Sequence, residues 1–173
     1  MVRIFVTGGA GYIGSHVCKV LSEYGFEAVA FDNLSTGHRE LVKWGPLIEG
    51  DVDDRDSVES AIREVRPAAV LHFATSSGMG SPTLLEAMVA AGVSRIVLSS
   101  TCATYGVPAT DADLRRYAAK SDHTYGRTKL VIERMIDAFE RAHGTKSVCL
   151  RYFNACGPIP EGRRESCTTV NHT

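Results

Sequence analysis

The 173-residue sequence predicts an α/β fold, a single domain built on a doubly wound parallel sheet. Three observations carry this. Short β-rich runs alternate along the chain with segments of 3.6-residue periodicity, the pattern of successive βαβ units. Several of the β-rich runs are apolar almost throughout, as parallel strands covered on both faces must be. A glycine-rich turn joins the first strand to the first helix, in the sequence TGGAGYIGSH.

Taken in order, the first strand is VRIFVT (2–7), followed by a helix over 12–23. EAVAFD (27–32) is the second strand, with a helix over 36–44 and a third strand at PLIEG (46–50). The next helix, 56–65, sets Val58, Ile62 and Val65 on one face and stops before Pro67. AAVLHFA (68–74) is the fourth strand, and Ser81-Pro82 reads as an N-cap and first-turn proline for a helix over 82–91. RIVLSS (95–100) is the fifth strand. A helix over 125–142 carries Ile132, Met135, Ile136 and Phe139 in one stripe and ends at Gly144, before the sixth strand, SVCLRYF (147–153). The expected strand order is 3-2-1-4-5-6. Residues 102–121 and the chain after 154 read as irregular, so the domain is placed at 1–157 and a tail at 158–173.

Composition excludes several functions. Hydrophobic residues make up 44% and charged residues 23%, ordinary for a soluble globular chain. With 19 basic against 20 acidic residues, and only short clusters at Arg115–Arg116 and Arg163–Arg164, no nucleic-acid or membrane partner is expected. No run approaches the ~20 apolar residues of a membrane-spanning helix. The five cysteines are odd in number and lack metal-ligand spacing, so reduced thiols, no metal and a cytoplasmic location are expected. Cys102 reads as a packing residue, and His16 and His72 as core or loop-ordering residues.

The glycine turn carries the first chemical signal. Gly8 permits a tight turn, Gly11 lets a pyrophosphate approach the backbone, and Gly14 lets helix and strand pack closely, while the helix N-terminus offers N–H groups to an anion. With a strand before, a helix after and an acidic residue ending the second strand, the context is that of a Rossmann-type dinucleotide site. Asp32 is the acidic residue. Its carboxylate would accept the adenosine ribose hydroxyls and repel a 2′-phosphate, which favours NAD over NADP. The alternative is that the glycines form a turn and Asp32 caps one. Asp51 and Val52, after the third strand, would flank the adenine or simply end a strand.

A second signal is HTYGRTKL, which places Tyr125 four residues ahead of Lys129 on one helix face, about 5–6 Å apart at Cβ. An ammonium there is expected to favour the phenolate and pull the Tyr125 pKa below its ordinary value, making the phenol a proton donor and acceptor. Hydride transfer to or from a carbonyl needs such a group, together with a hydroxyl that hydrogen-bonds the carbonyl oxygen. Thr101 could supply that hydroxyl, with Ser99 and Ser100 as neighbouring substitutes.

With TGGAGYIGSH, FDNLSTGHRE, EGDVDD, LHFA, SSTCATYG, YGRTK and RYFNACG in order, the chain resembles the extended short-chain dehydrogenase/reductases of the NAD-dependent epimerase/dehydratase type, and among them the UDP-glucose 4-epimerases. The resemblance implies that Thr101 is the catalytic hydroxyl, Tyr125 the acid/base, and Lys129 the residue that holds the nicotinamide ribose. It implies that Tyr12, Ile13, Asn33, Phe73, Ala74 and Tyr152 join the glycines, Asp32, Asp51 and Val52 around NAD, and that Asn154 touches substrate. It also suggests a homodimer paired through the helix that carries Tyr125. The chain departs from the family where SSGMGSP shortens the path after LHFA, in the approach GVPATDADLRRYAAKSDH to the tyrosine, and after RYFNACG, where relatives continue into a domain that grips the sugar nucleotide. From these departures the expected function is an NAD(H)-dependent oxidoreductase of small carbonyl or hydroxyl compounds, with α-hydroxy carbonyls preferred. A UDP-glucose 4-epimerase-like remnant or fragment, or a non-catalytic NAD-binding module, is the alternative.

Overall fold

The structure, a computed structural model, describes residues 1–74, 80–106 and 124–155. Six parallel strands, β1 (Arg3–Thr7), β2 (Glu27–Asp32), β3 (Leu47–Glu49), β4 (Ala69–His72), β5 (Arg95–Thr101) and β6 (Lys146–Tyr152), form one sheet in the order β3-β2-β1-β4-β5-β6. This is the expected order. Its reversal between β1 and β4 opens a crevice above the carboxyl ends of those two strands.

Helices α2 (Arg55–Val65), α3 (Gly80–Ala90) and α4 (Thr124–His143) lie on one face of the sheet. There Phe5, Phe31, Val70 and Leu98 pack against Val58, Ile62, Leu84, Met88, Ile132 and Ile136. Fully burying each such side chain contributes roughly 1.5–3 kcal/mol. Helix α1 (Tyr12–Glu23) covers the other face, where Cys18 and Leu21 meet Ile4, Val6, Ala28 and Trp44. Among the described residues nothing covers β6 on that side, and Val148 and Leu150 are 54% and 42% exposed.

Two local expectations are corrected. The segment 36–44 is not an α-helix but a single 3-10 turn, Arg39–Leu41. Its neighbourhood bonds to other segments instead of to itself: Leu34 takes a left-handed conformation with its N–H on Asp32, and the His38 N–H donates to the Ala10 carbonyl at 2.9 Å. Trp44 is drawn beneath the sheet. Ser81 lies inside α3, not ahead of it as an N-cap, and its hydroxyl meets His72. The expected irregular region after Thr101 begins as a 3-10 turn, Cys102–Tyr105; its remainder beyond residue 106, the expected tail 158–173, and Cys156 and Cys167 lie outside the described residues.

Local chemistry sets the other boundaries. Asp54 caps α2, its side chain accepting from the Asp56 and Ser57 N–H groups. The helix stops at Arg66, left-handed at φ 49°, whose N–H reaches the Ile62 carbonyl at 2.9 Å. α4 carries Arg141 and His143 in its last turn, where positive charge suits the helix dipole, and Gly144 follows at φ 71°. No helix among the described residues is long and apolar enough to cross a membrane, and no group of three His, Cys, Asp or Glu there could hold a metal.

His72 ties the central layers together. Its Nδ1 lies 2.7 Å from the Thr7 hydroxyl on β1, and its Nε2 lies 2.9 Å from the Ser81 hydroxyl on α3. Complete burial, with the Lys129 charge adding to it, pushes its pKa down to about 3. The ring is therefore neutral and bonded at both nitrogens, an ordering role as expected.

Two outcomes follow from these contacts. A left-handed residue other than glycine costs about 1–2 kcal/mol, and glycine returns roughly 0.5–1 kcal/mol of that through unfolded-state entropy. Arg66→Gly is thus expected to stabilise the fold by about 0.5–1 kcal/mol, read as a higher midpoint in denaturant. His72 binds a proton near pH 6.5 when unfolded but not when folded, so its contribution is whole above pH 6.5 and is lost as pH falls toward 3. Wild-type stability should drop by about 2 kcal/mol between pH 7 and pH 5 from this group. His72→Asn should be less stable at pH 7 yet show a shallower slope; equal slopes would assign the acid limb to other groups.

Candidate active site

The glycine turn is built by backbone contact. Gly8, at φ 72°, donates its N–H to the Phe31 carbonyl at 2.9 Å, and a Cβ there would fall 2.6 Å from the Ala74 nitrogen and 2.8 Å from the Phe73 carbonyl carbon. At Gly14 a Cβ would fall 2.1 Å from the Gly8 carbonyl oxygen. Any side chain at either position would push α1 or β4 away from β1. Gly11 is the N-cap of α1, with no side-chain cap and no acidic residue in the first turn, so the positive end of that helix is left for an external anion.

Asp32 organises the next layer. Its Oδ2 accepts the Ala10 N–H at 3.0 Å and its Oδ1 accepts the Leu34 N–H at 2.9 Å. One lone-pair direction on each oxygen remains for another donor. Asn33 donates from Nδ2 to Asp51 at 2.9 Å, joining the ends of β2 and β3. The Asp53 N–H and this Asn33 bond lower the Asp51 pKa.

These residues surround one cavity of about 260 Å³ above the carboxyl ends of β1, β2 and β4. Of the residues expected around a cofactor, Gly8, Gly11, Asp32, Asn33, Asp51, Val52, Phe73 and Ala74 line it. Tyr12, Ile13 and Gly14 do not line it; they form the first turn of α1 beside it, with the Tyr12 carbonyl bonded to Ser15 and His16. Ser35, Thr36 and Gly37 also line the cavity and were not singled out from the sequence. Their signal was their place in the loop directly after Asp32, which folds back over the glycine turn through the His38–Ala10 bond.

The proton-transfer candidates form a second cluster, on β5, β6 and α4. Thr101 ends β5 in register with Tyr152 of β6. Its hydroxyl oxygen accepts the Ala103 N–H at 3.2 Å, which leaves its hydrogen to donate. The two substitutes are committed elsewhere: the Ser99 hydroxyl bonds the Tyr152 phenol, and the Ser100 hydroxyl donates to Glu133. Tyr125 and Lys129 stand one turn apart on α4, the first 50% exposed and the second 3% exposed. Asn154 is exposed just past β6.

The Tyr125 pKa shifts opposite to the expected lowering. Desolvation raises the Tyr125 pKa, with the Tyr152 charge adding to it, and desolvation lowers that of Lys129. Burial disfavours the charged form of each group, a property of the whole fold that the four-residue spacing does not reveal.

Against known proteins, residues 4–172 match the pattern of the NAD dependent epimerase/dehydratase family. The chain is 42% identical over 176 residues to the UDP-glucose 4-epimerase of Rhizobium leguminosarum bv. trifolii, covering 92% of this chain and 54% of that protein. It is 37% identical to the Bacillus subtilis UDP-glucose 4-epimerase, covering 94% and 55%. Among solved structures, the Brucella ovis UDP-glucose 4-epimerase in complex with NAD superposes with a TM-score of 0.88 at 38% identity, over 92% of this chain and 54% of that one. The Thermotoga maritima enzyme with UDP-glucose gives 0.84 at 30% identity, over 91% and 57%. The chain thus spans about half the length of the relatives it matches. Family pattern, relatives and sheet topology agree, and the chain belongs to the NAD dependent epimerase/dehydratase family.

Proposed function

We propose that this chain carries the NAD-binding and proton-transfer machinery of a UDP-glucose 4-epimerase, with residues 1–157 as the NAD-binding domain. The observation that carries the reading is the crevice between β1 and β4, with the glycine turn and Asp32 cavity on one side and Thr101, Tyr125 and Lys129 on the other. The expected small-carbonyl oxidoreductase gives way to this reading because the matched relatives act, by name, on UDP-glucose.

The residues present fit NAD: the turn has no room for a Cβ at Gly8 or Gly14, the α1 N-terminus is uncapped, and Asp32 keeps acceptor capacity. NAD, when bound, supplies the hydride acceptor. Gly8, Gly11 and the N–H groups of Tyr12 and Ile13 would hold its pyrophosphate against the helix dipole, and Asp32 its adenosine ribose. Asn33, Asp51 and Val52 would border the adenine, and Phe73, Ala74 and Tyr152 the nicotinamide end. Lys129 would donate to the nicotinamide ribose. Tyr125 would take the proton of the sugar C4 hydroxyl as the phenolate while that carbon gives up its hydride, and would return it as the phenol when the hydride comes back to the other face. Thr101 donates to the same oxygen throughout, and Asn154 touches the sugar. Pairing of two copies through α4, where Val131 is exposed, belongs to the same reading and would appear as a dimer in sedimentation.

The deciding experiment incubates the chain and NAD with UDP-galactose, following UDP-glucose and the absorbance of reduced cofactor. Interconversion, or reduction of NAD in stoichiometric amount, is expected. Turnover of small hydroxy ketones with no response to UDP-sugars would restore the oxidoreductase reading, and NAD binding without either reaction would favour a binding module. Tyr125→Phe should lower turnover by roughly 100-fold or more while NAD affinity stays within about threefold. Lys129→Met should weaken NAD binding by about tenfold or more, through loss of a charged hydrogen-bond donor. Unchanged calorimetric affinity in Lys129→Met would remove that lysine from the cofactor site.

A further inference from the structure

Helix α4 presents Tyr125, Lys129 and Glu133 at successive four-residue steps, so the three side chains share one face. The Glu133 side chain is 9% exposed, and its carboxylate accepts from three donors. Ser100 Oγ donates to Oε1 at 2.5 Å, Arg151 Nε donates to Oε1 at 3.0 Å, and Arg151 Nη2 donates to Oε2 at 2.5 Å. Ser100 and Arg151 are register partners on β5 and β6, and the next residues on the two strands, Thr101 and Tyr152, are partners in turn. Arg151 also lies with its guanidinium carbon 4.9 Å from the centre of the Tyr105 ring, at the end of the 3-10 turn that follows Thr101.

We propose that Glu133 is a positioning residue: by gripping Ser100 and Arg151 it fixes the spacing between the helix that carries Tyr125 and Lys129 and the strand ends that carry Thr101 and Tyr152. The inference rests on the reading that these residues transfer the proton. Burial alone would raise the Glu133 pKa, yet the bonds from Arg151 and Ser100 leave it lowered, so the clamp stays ionised. A fixed ion pair suits this task better than apolar packing, because a bidentate guanidinium–carboxylate contact defines orientation as well as distance. The clamp is one helical turn from Lys129 and adjacent in sequence to Thr101 and Tyr152, so play in it passes directly to the reacting groups. Misplacement by about 1 Å can cost on the order of 100-fold in rate.

The test uses Glu133→Gln, Arg151→Met, the double variant, and Ser100→Ala as the mildest change, which keeps the ion pair. Three readouts are compared: thermal midpoint, NAD-dependent turnover of UDP-galactose, and the titration of Tyr125 followed by its carbon-labelled ring resonance, assigned through Tyr125→Phe. Loosening α4 should expose Tyr125 and separate it from Tyr152, the two causes of its raised pKa, so its titration should move down toward the ordinary tyrosine value. In the same variants kcat should fall about tenfold or more with KM within about threefold. The double variant should be no worse than the worse single, as expected for one unit. Ser100→Ala should shift the titration in the same direction by less, and it decides the matter if the charge variants fail to fold. Variants that lose thermal stability but leave the Tyr125 titration unmoved and kcat within about twofold of wild type would overturn the proposal. If the wild type shows no turnover at all, the functional reading fails, while the titration still tests the clamp.

Discussion

At the centre of the sheet the backbone of Gly8 runs so near that of Phe73 and Ala74 that no Cβ fits between them. Everything on the ligand side of the molecule depends on this contact. It sets the glycine turn against the end of β4, places the N-terminus of α1 beside the crevice, and brings Asp32 within reach of the Ala10 N–H. Asp32 then holds Leu34, and the following loop returns to Ala10 through His38. One steric condition, the absence of a side chain at Gly8, thus propagates through hydrogen bonds into a wall of the cavity.

The other side of the crevice is organised by charge. His72 is neutral, and the charge of the nearby Lys129 helps to keep it so. The fully ionised pair, Glu133 with Arg151, sits a turn away and satisfies itself. Such a pair contributes little net stability when buried, because desolvation offsets attraction, but it fixes geometry well. The permanent charges of this pair thus serve the frame of strands and helix.

Much of this was legible in the sequence. Strands buried on both faces appear as apolar runs whatever the loops do, so all six strands and their order were found. The glycines were legible because a backbone that must approach another backbone leaves a gap in side chains at fixed spacing. The segment 36–44 misled because its hydrogen-bond partners, such as Ala10, lie far back in the chain, where local periodicity carries no information. The Tyr125 pKa misled for a related reason: spacing reveals a neighbouring ammonium, but burial is a property of the whole fold. Glu133 went unnoticed because its partners are 18 and 33 residues away. The small-substrate reading gave more weight to what followed the matched motifs than to the motifs themselves.

The His72 brace has a kinetic corollary. Thr7 and His72 are 65 residues apart, so β1 cannot pair with β4 until a long loop has closed. That closure is entropically slow compared with pairing β1 to β2, whose partners are 24 residues apart. The crevice forms along the β1–β4 seam, hence with the closure that spans the longest stretch of chain in the sheet. A β1–α1–β2 unit by itself carries the glycine turn but no opposite wall. A dinucleotide would find little to hold there, and its binding would act on the equilibrium of the entire sheet, with occupancy and global folding rising together.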